Sequence, residues 1–232
     1  MGRTREAHQL PPGRHGLPRS FVVQNQRERI LAAVADVSSA SSYADMSVED
    51  IIGAAGISRR TFYEHYRNKH EAFLAAYDEA AERLLAAVRA AYESAAGFGN
   101  RVRSGIEVFL ALLAADPSFA RMCIVEVMAA GPDAVARRNQ AMRSFGAMIE
   151  QNATELLEHR PPSALTAETV VGGIYDVIYN RIQQGLVHEL PSLTTDLVYT
   201  ALLPYVGPDA ARAAVADAGT TPTPARAGRA AP

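Results

Sequence analysis

The chain has 232 residues, of which 48% are hydrophobic and 21% are charged, a globular composition that excludes a largely disordered protein. A net charge of -2 excludes a uniformly basic nucleic-acid coat protein, and a single cysteine, Cys123, excludes an intrachain disulfide and a multi-cysteine metal site. Residues 1–70 carry ten Lys and Arg against seven Asp and Glu, and residues 71–232 carry thirteen against eighteen, so a +3 region precedes a -5 region with a different electrostatic role.

Neither end of the chain is predicted to join the core. Residues 1–20 contain three glycines and three prolines without a sustained apolar period, which predicts a flexible basic arm. Residues 218–232 are rich in Gly, Pro, Thr and Ala and predict a flexible tail. The N-terminal stretch has no apolar core of signal-peptide length, and no apolar run approaches the roughly 18 residues of a membrane span, so we expect a cytoplasmic protein without a membrane partner.

Between these ends, apolar residues recur with helical spacing and hardly any segment alternates as a strand does. The sequence predicts an all-α protein of about nine or ten helices. An N-terminal three-helix helix-turn-helix domain is expected at 21–71, followed by a larger helical domain at 72–217. The long helix after Asn68 should end near Gly97. Later helices are expected at about 100–115, 117–129, 132–159, 166–188, 193–206 and 208–217.

Residues 47–71 carry the pattern that is most informative about function. Ser47 is a good N-cap with Asp50 at capping-box spacing, and the short helix after it should stop at Gly56, where a positive φ permits a tight reversal. Ser58 then caps a second helix. A short helix, a glycine turn and a second capped helix predict a helix-turn-helix.

The second helix of this pair is predicted to have one buried edge and one cationic edge. Phe62 and Tyr66 are four residues apart and share a face. The other face carries Arg59, Arg60, Thr61, Tyr63 and His65. Arg and Thr side chains can read base edges, and Tyr, His and Lys can hold phosphates, so the pattern favours binding to double-stranded DNA. A helical hairpin whose arginines are merely solvated is the alternative interpretation.

A second capping box is predicted at Asn68 and Glu71. It places Lys69, the one lysine of the chain, in the first turn of the next helix. There the ammonium and the free backbone N–H groups can meet one phosphate.

The segment from Arg27 to about Glu79 closely resembles the DNA-binding domain of TetR-family transcriptional regulators, above all in the run Thr-Phe-Tyr-Glu-His-Tyr-Arg-Asn-Lys that ends at Lys69. The resemblance implies base contacts from the start of the second helix and phosphate contacts from its remainder. We also expect arginines of the N-terminal arm to enter the minor groove or follow phosphates. The candidate DNA-binding residues are Ser47, Ser58, Arg59, Arg60, Thr61, Tyr63, His65, Lys69, Arg14 and Arg19.

The resemblance further implies a homodimer that is built from the last two long helices. Those helices are apolar on more than one side, and Gly172 and Gly173 permit close helix approach, which favours a four-helix bundle between two copies. An ordinary core within one chain is the alternative that the sequence leaves open. The candidate interface residues are Val171, Ile174, Ile178, Ile182, Val198 and Leu202.

The resemblance also implies a small-molecule effector in the larger domain. A lining with methionines and aromatic rings favours an apolar or aromatic ligand, and Glu126 inside an apolar run could contact a polar or cationic group. For each of these residues a place in the core, or a satisfied salt bridge for Glu126, remains the alternative. The candidate ligand-binding residues are Phe109, Leu113, Met122, Glu126, Phe145, Tyr175 and Tyr179. We predict no cofactor and no metal.

The expected function is that of a transcriptional regulator, by family resemblance a repressor, which binds a palindromic operator as a homodimer and is released by a ligand. An enzyme is not expected, because the sequence has no nucleophile elbow, no phosphate-cradling glycine loop and no His-Glu-x-x-His motif, and its six histidines are scattered. A helical small-molecule-binding protein without DNA binding is the alternative function.

Overall fold

The fold, obtained as a computed structural model, is described for residues 18–156 and 163–216. These residues form α-helices and two short 3-10 segments without a β-strand, so the predicted all-α class is confirmed. Their helices are α1 (Arg19–Asp45), α2 (Val48–Ala55), α3 (Arg59–His65), α4 (Lys69–Ser94), α5 (Phe98–Ala115), α6 (Pro117–Ile124), α7 (Pro132–Leu156), α8 (Ala164–Gln183) and α9 (Thr194–Ala216). Arg14, most of the predicted arm and the predicted tail lie outside the described residues.

The N-terminal part is organised around α1, which packs against α2, α4 and α6. Ile30 and Val34 of α1 are fully buried, as are Phe62 of α3 and Phe73 of α4. Since burial of a large apolar side chain contributes about 1.5–3 kcal/mol, these four residues hold α1 and the two short helices α2 and α3 on α4. Helix α1 therefore touches both the helix-turn-helix and the larger domain.

The larger part is a layered set of helices in which α5 packs between α4 and α9, and α7 pairs with α8. Leu110 and Leu113 of α5 are fully buried, together with Ile178 of α8 and Leu202 of α9. The larger domain thus has its own apolar centre, which continues into the N-terminal core along α4.

Three predicted helix boundaries differ from the structure, two of them at glycines with positive φ. The helix expected at 117–129 ends at Ile124 and is followed by a 3-10 segment, Glu126–Met128. The helix expected at 166–188 ends at Gln183, because Gly185 has φ +77° and turns the chain into a 3-10 segment, Val187–Leu193, that the sequence analysis missed. The helices expected at 193–206 and 208–217 form one element, α9, which is kinked at Gly207 with φ +79°.

None of the described helices is by itself both long enough and apolar enough to span a membrane. One pair, Phe98–Ala115 with Pro117–Met128, meets both conditions jointly, but it is bent by 112°.

Candidate nucleic-acid interface and ligand cavity

Helix α2 begins with a complete capping box. The Ser47 hydroxyl oxygen accepts a hydrogen bond from the Asp50 N–H at 3.2 Å, and the Asp50 carboxylate accepts from the Ser47 N–H at 2.9 Å and from its hydroxyl at 2.6 Å. These hydrogen bonds from Ser47 lower the pKa of Asp50. The reciprocal bonds satisfy backbone N–H donors that the first turn would otherwise leave without partners. Helix α2 therefore begins directly after Ser47, as the sequence predicts.

The turn after α2 is held by a residue that the sequence analysis did not single out for this role. Gly56 ends α2 in the left-handed conformation, with φ +61°. The Arg29 guanidinium of α1 donates to the carbonyl oxygens of Ala55 and Gly56 at 2.5 and 2.7 Å. A cation at the C-terminal end of a helix meets its free carbonyls and its negative dipole end. Arg29 therefore fixes the turn to α1 from 26 residues away in sequence, where no local signal reveals it.

Helix α3 has the two edges that its sequence predicts. Phe62 is fully buried and Tyr66, just after the helix, is 7% exposed. On the opposite edge the side chains of Arg59 and Arg60 are 67% and 89% exposed, and Tyr63 is exposed as well. The buried aromatic pair orients the helix, and its cationic edge faces outward.

The first turn of α3 is closed by Ser58 and Thr61. The Ser58 hydroxyl oxygen accepts from the Thr61 N–H at 3.0 Å, and the two hydroxyl oxygens are 2.8 Å apart. Such a cap contributes about 1 kcal/mol to helix stability. Ser58 is thus engaged within the helix, whereas a base contact by Thr61 would require its hydroxyl to exchange partners.

The cationic edge of α3 is paired with carboxylates that can be displaced. Arg59 contacts Glu49 of α2 at 2.5 Å, and Arg60 contacts Glu64 at 2.9 Å. The Arg59 guanidinium also lies 5.7 Å from the centre of the Tyr63 ring. Exposed ion pairs of this kind are worth about 0–1 kcal/mol. Opening them toward a phosphate or a guanine edge is therefore inexpensive.

His65 and Arg19 lie at the margins of this surface. His65 is partly buried, with its Nε2 atom 3.4 Å from the Gln26 side-chain oxygen of α1. Arg19 is the first residue of α1 and is exposed. These positions do not test the predicted DNA contacts of His65 and Arg19, which stay predictions.

Lys69 has a different environment from the one expected of a phosphate ligand. Its ammonium donates to the carbonyl oxygens of Met46, Ala44 and Tyr43 at 2.7, 3.0 and 3.1 Å. These bonds occupy all three ammonium donors at the C-terminal end of α1. The Lys69 side chain therefore joins α4 to the end of α1, and its phosphate contact, which would require the ammonium to release one of these carbonyls, stays a prediction.

Replacing Lys69 by methionine is expected to lower the free energy of unfolding by about 2 kcal/mol, because three carbonyls lose a charged donor and two of the bonds are partly buried. Urea unfolding of the protein without DNA measures this change. Lys69→Arg should recover part of the loss. An unchanged unfolding midpoint together with a shallower salt dependence of DNA affinity would favour the phosphate contact over the structural role.

The second predicted capping box is present only in part. Asn68 accepts from the Glu71 N–H at 2.9 Å, as expected, but the Glu71 carboxylate accepts from the N–H of Arg67 at 2.8 Å instead of that of Asn68. The backbone and side-chain bonds from Arg67 lower the pKa of Glu71. The N-terminus of α4 is thus fixed to the chain that leaves α3.

Glu126 connects the end of α1 to the larger domain and lies outside the lining of the apolar cavity among α4, α5, α6, α7 and α8. It is 3% exposed, its carboxylate accepts from the Tyr43 N–H at 2.8 Å, and it lies 3.0 Å from Arg121 Nε. The predicted ligand contact is corrected to the alternative of a satisfied salt bridge. Beside it, the Tyr43 hydroxyl lies 3.1 Å from His70 Nδ1.

A cavity of about 110 Å³ lies among α4, α5, α6, α7 and α8. It can hold several waters, so it exceeds a packing defect. Of the predicted ligand residues, Phe109, Phe145 and Tyr175 line it. Leu113 is fully buried in the core, Met122 borders a separate groove beside α1, and Tyr179 stacks on Tyr175 outside the lining set.

The residues predicted for the dimer interface separate into two groups. Val171 and Ile174 line the cavity. The other four are buried inside the protomer, at 5% exposure or less, and have no surface to offer to a second chain: Ile178, Ile182, Val198 and Leu202. For these positions the alternative of an ordinary core is correct. The exposed large apolar residues of the same helices are Leu165, Val177, Leu203 and Val206.

The polar groups of the cavity are mostly neutral. Burial raises the pKa of Tyr77, of Tyr175 and of the Cys123 thiol, all of which line the cavity. The Tyr175 hydroxyl donates to the Ile124 carbonyl oxygen at 2.5 Å. Within the described ranges no three His, Cys, Asp or Glu residues come together as metal ligands would.

Comparison with known proteins places the helix-turn-helix in a family. Residues 30–76 match the family model described as bacterial regulatory proteins, tetR family. This range contains α2, α3, the larger part of α1 and the first two turns of α4, with the capping boxes and the cationic edge described above.

Solved structures share the fold over most of the chain. The fatty acid degradation regulator FadR from Bacillus halodurans is 17% identical, with a TM-score of 0.68 over 75% of this chain and 97% of its own. FadR from Bacillus subtilis, solved in complex with stearoyl-CoA, is 17% identical, with a TM-score of 0.68 over 78% and 98%. A tetR-family protein from Rhodococcus RHA1 is 20% identical, with a TM-score of 0.63 over 78% and 96%.

The resemblance seen in the sequence is thereby confirmed: residues 30–76 match the tetR family of bacterial regulatory proteins, and the rest of the described chain shares its helical fold with solved regulators.

Proposed function

We propose that this protein is a sequence-specific DNA-binding transcriptional regulator, a repressor that binds a palindromic operator as a homodimer and is released by a small apolar or aromatic ligand. The observation that carries the proposal is the outer edge of α3, where Arg59, Arg60 and Tyr63 are exposed on a helix oriented by a buried Phe62. Arginines of such a helix can donate bidentately to guanine in the major groove.

A homodimer would increase the sequence specificity of α3. A seven-residue helix contacts few base pairs, and two helix-turn-helix domains one turn of DNA apart multiply the discrimination between operator and other sequences. The exposed apolar residues Val177 of α8 and Leu203 and Val206 of α9 are the surface that we assign to the second copy. Arg14 of the arm and Arg19 at the start of α1 are assigned to the phosphates or the minor groove beside each half-site.

Ligand release is proposed to act through α4. This helix begins beside α3 and lines the cavity with Tyr77, Leu84, Val88 and Tyr92. A ligand shifts the operator affinity only if it binds two arrangements of α4 with different affinity. The structure of FadR from Bacillus subtilis, which holds stearoyl-CoA, supports an effector with an apolar chain for this fold.

A gel-shift titration with the DNA upstream of the protein's own gene, at two salt concentrations, tests the proposal. We expect a retarded complex whose affinity falls with salt, as phosphate contacts require, and competition by the same DNA but not by a scrambled sequence. Equal affinity for both sequences would contradict a sequence-specific regulator. A protein that binds ligands but no DNA at either salt concentration would favour a helical ligand-binding protein instead.

A further inference from the structure

The cavity contains a single charged side chain. Its lining is aliphatic and aromatic, and among its lining residues Arg138 of α7 carries the charge, without an Asp or Glu. The guanidinium lies 3.8 Å from the centre of the Tyr175 ring, which holds it against the cavity wall.

Arg138 has no carboxylate partner among the described residues. One terminal nitrogen donates to the Asn139 side-chain oxygen at 2.9 Å, and the buried Nε atom has no hydrogen-bond partner in the described structure. A partly buried cation without a counter-ion is costly in an apolar wall, and buried charges are ordinarily paired. Arg138 is therefore set up to accept an anion from outside the chain.

The cavity is long relative to its volume. On α4 its lining runs from Tyr77 to Tyr92, a stretch whose fifteen rises of 1.5 Å correspond to about 22 Å of helix axis. Arg138 lies with Tyr77, Ile124 and Tyr175 at one end, while Tyr92 marks the other. A cavity of this shape fits an extended apolar chain better than a compact ring system.

We propose that the effector is an elongated amphiphile, an apolar chain with an anionic group at one end, and that Arg138 binds the anion while the cavity beyond it takes the chain. The inference rests on the proposed ligand-controlled function and names the chemical class of its effector. A free carboxylate and the phosphates of an acyl thioester share the chemistry that Arg138 recognises.

Isothermal titration of the protein without DNA measures the affinity of three probes with the same twelve-carbon chain: dodecanoate, dodecanoyl-CoA and dodecanol. Comparing them separates the contribution of the anionic group to binding from that of the apolar chain. We expect at least one of the two anions to bind about tenfold to a hundredfold more tightly than dodecanol, the range for a hydrogen bond to a charged group. The tighter anion identifies the source of the charge. Equal affinity of dodecanol and both anions, or binding of none of the three, would overturn the proposal.

Arg138→Gln is expected to remove the preference for the anion by the same factor and to leave dodecanol affinity unchanged. Arg143→Gln is the matched control, since Arg143 is an exposed arginine of α7 outside the cavity lining, and it should change neither affinity. An Arg138→Gln variant that keeps the full preference would overturn the role of Arg138. Dodecanol binding reports an intact cavity, and the wild-type comparison decides the charge preference even where the variant does not fold.

Operator binding is measured separately, which keeps the two proposals distinguishable. Anion binding through Arg138 without any operator complex would contradict the proposed function and leave this inference standing. An operator complex in a protein that prefers dodecanol would overturn this inference alone.

Discussion

Replacing Arg60 by alanine is expected to weaken operator binding by about 1–3 kcal/mol for each reading helix, and so by about 2–6 kcal/mol for a dimer that uses two. Arg60 is the most exposed cation of α3, with 89% of its side chain accessible, and a single surface carboxylate, Glu64, competes for it. The loss of that exposed pair costs the free protein little. The effect should therefore fall on the complex and not on folding.

A base contact and a phosphate contact of Arg60 give different results. If the guanidinium reads a base edge, the alanine variant should tolerate substitutions at one base pair of each half-site, with nearly the same salt slope. If it holds a phosphate, affinity should fall equally for all sequences and the salt slope should decrease by about one per contact. Gel shifts on an operator and its single-base variants, at several salt concentrations, measure both quantities.

The control for Arg60→Ala is Arg143→Ala, which removes the same charge from an exposed site on α7. It is expected to leave operator affinity unchanged. A loss of affinity that is equal in both variants would trace the effect to net charge. Such a result would argue against α3 as the reading helix.

The local features of the site were predictable from sequence because their partners are close along the chain. Ser47 with Asp50 and Ser58 with Thr61 are three residues apart, and the positive φ of Gly56 is an intrinsic preference of glycine. The division of α3 into a buried and an exposed edge likewise follows from the 3.6-residue period.

The parts that sequence did not determine depend on distant contacts. Lys69 finds its carbonyl partners 23 to 26 residues earlier, and Glu126 meets Tyr43 across 83 residues, so neither role is encoded locally. Apolar spacing on α8 is the same whether Ile178 faces its own core or a second chain. Only the packing of α8 in the tertiary structure decides that Ile178 is fully buried within the protomer.

The contact between Glu126 and α1 leads to the second large effect. Glu126→Ala is expected to lower the free energy of unfolding by about 3 kcal/mol, because it removes the acceptor of the Tyr43 N–H and leaves the Arg121 guanidinium without its carboxylate. Arg121 keeps 32% of its side chain exposed, so water relieves part of the penalty and the loss should fall near the lower end for a broken buried pair.

Urea unfolding of Glu126→Ala, Arg121→Ala and the double variant measures this pair. We expect a coupling energy of about 1–3 kcal/mol, since the two side chains are in direct contact. Asp133→Ala is the matched control, because its side chain is 77% exposed and its 3.6 Å contact with His70 should contribute less than about 0.5 kcal/mol. Additive losses in the double variant would mean that the carboxylate acts through Tyr43 alone.

The same variants test whether this contact carries the ligand signal. The carbonyl of Ile124 accepts from the cavity residue Tyr175, and two residues later Glu126 binds the N–H of Tyr43 near the end of α1. If a ligand displaces Tyr175, these two hydrogen bonds connect that displacement to the segment that holds α1. We expect Glu126→Gln, which keeps an acceptor for Tyr43 but loses the charge, to bind the effector normally and to need more of it to release the operator. Unchanged release in a variant with reduced stability would assign Glu126 to folding alone.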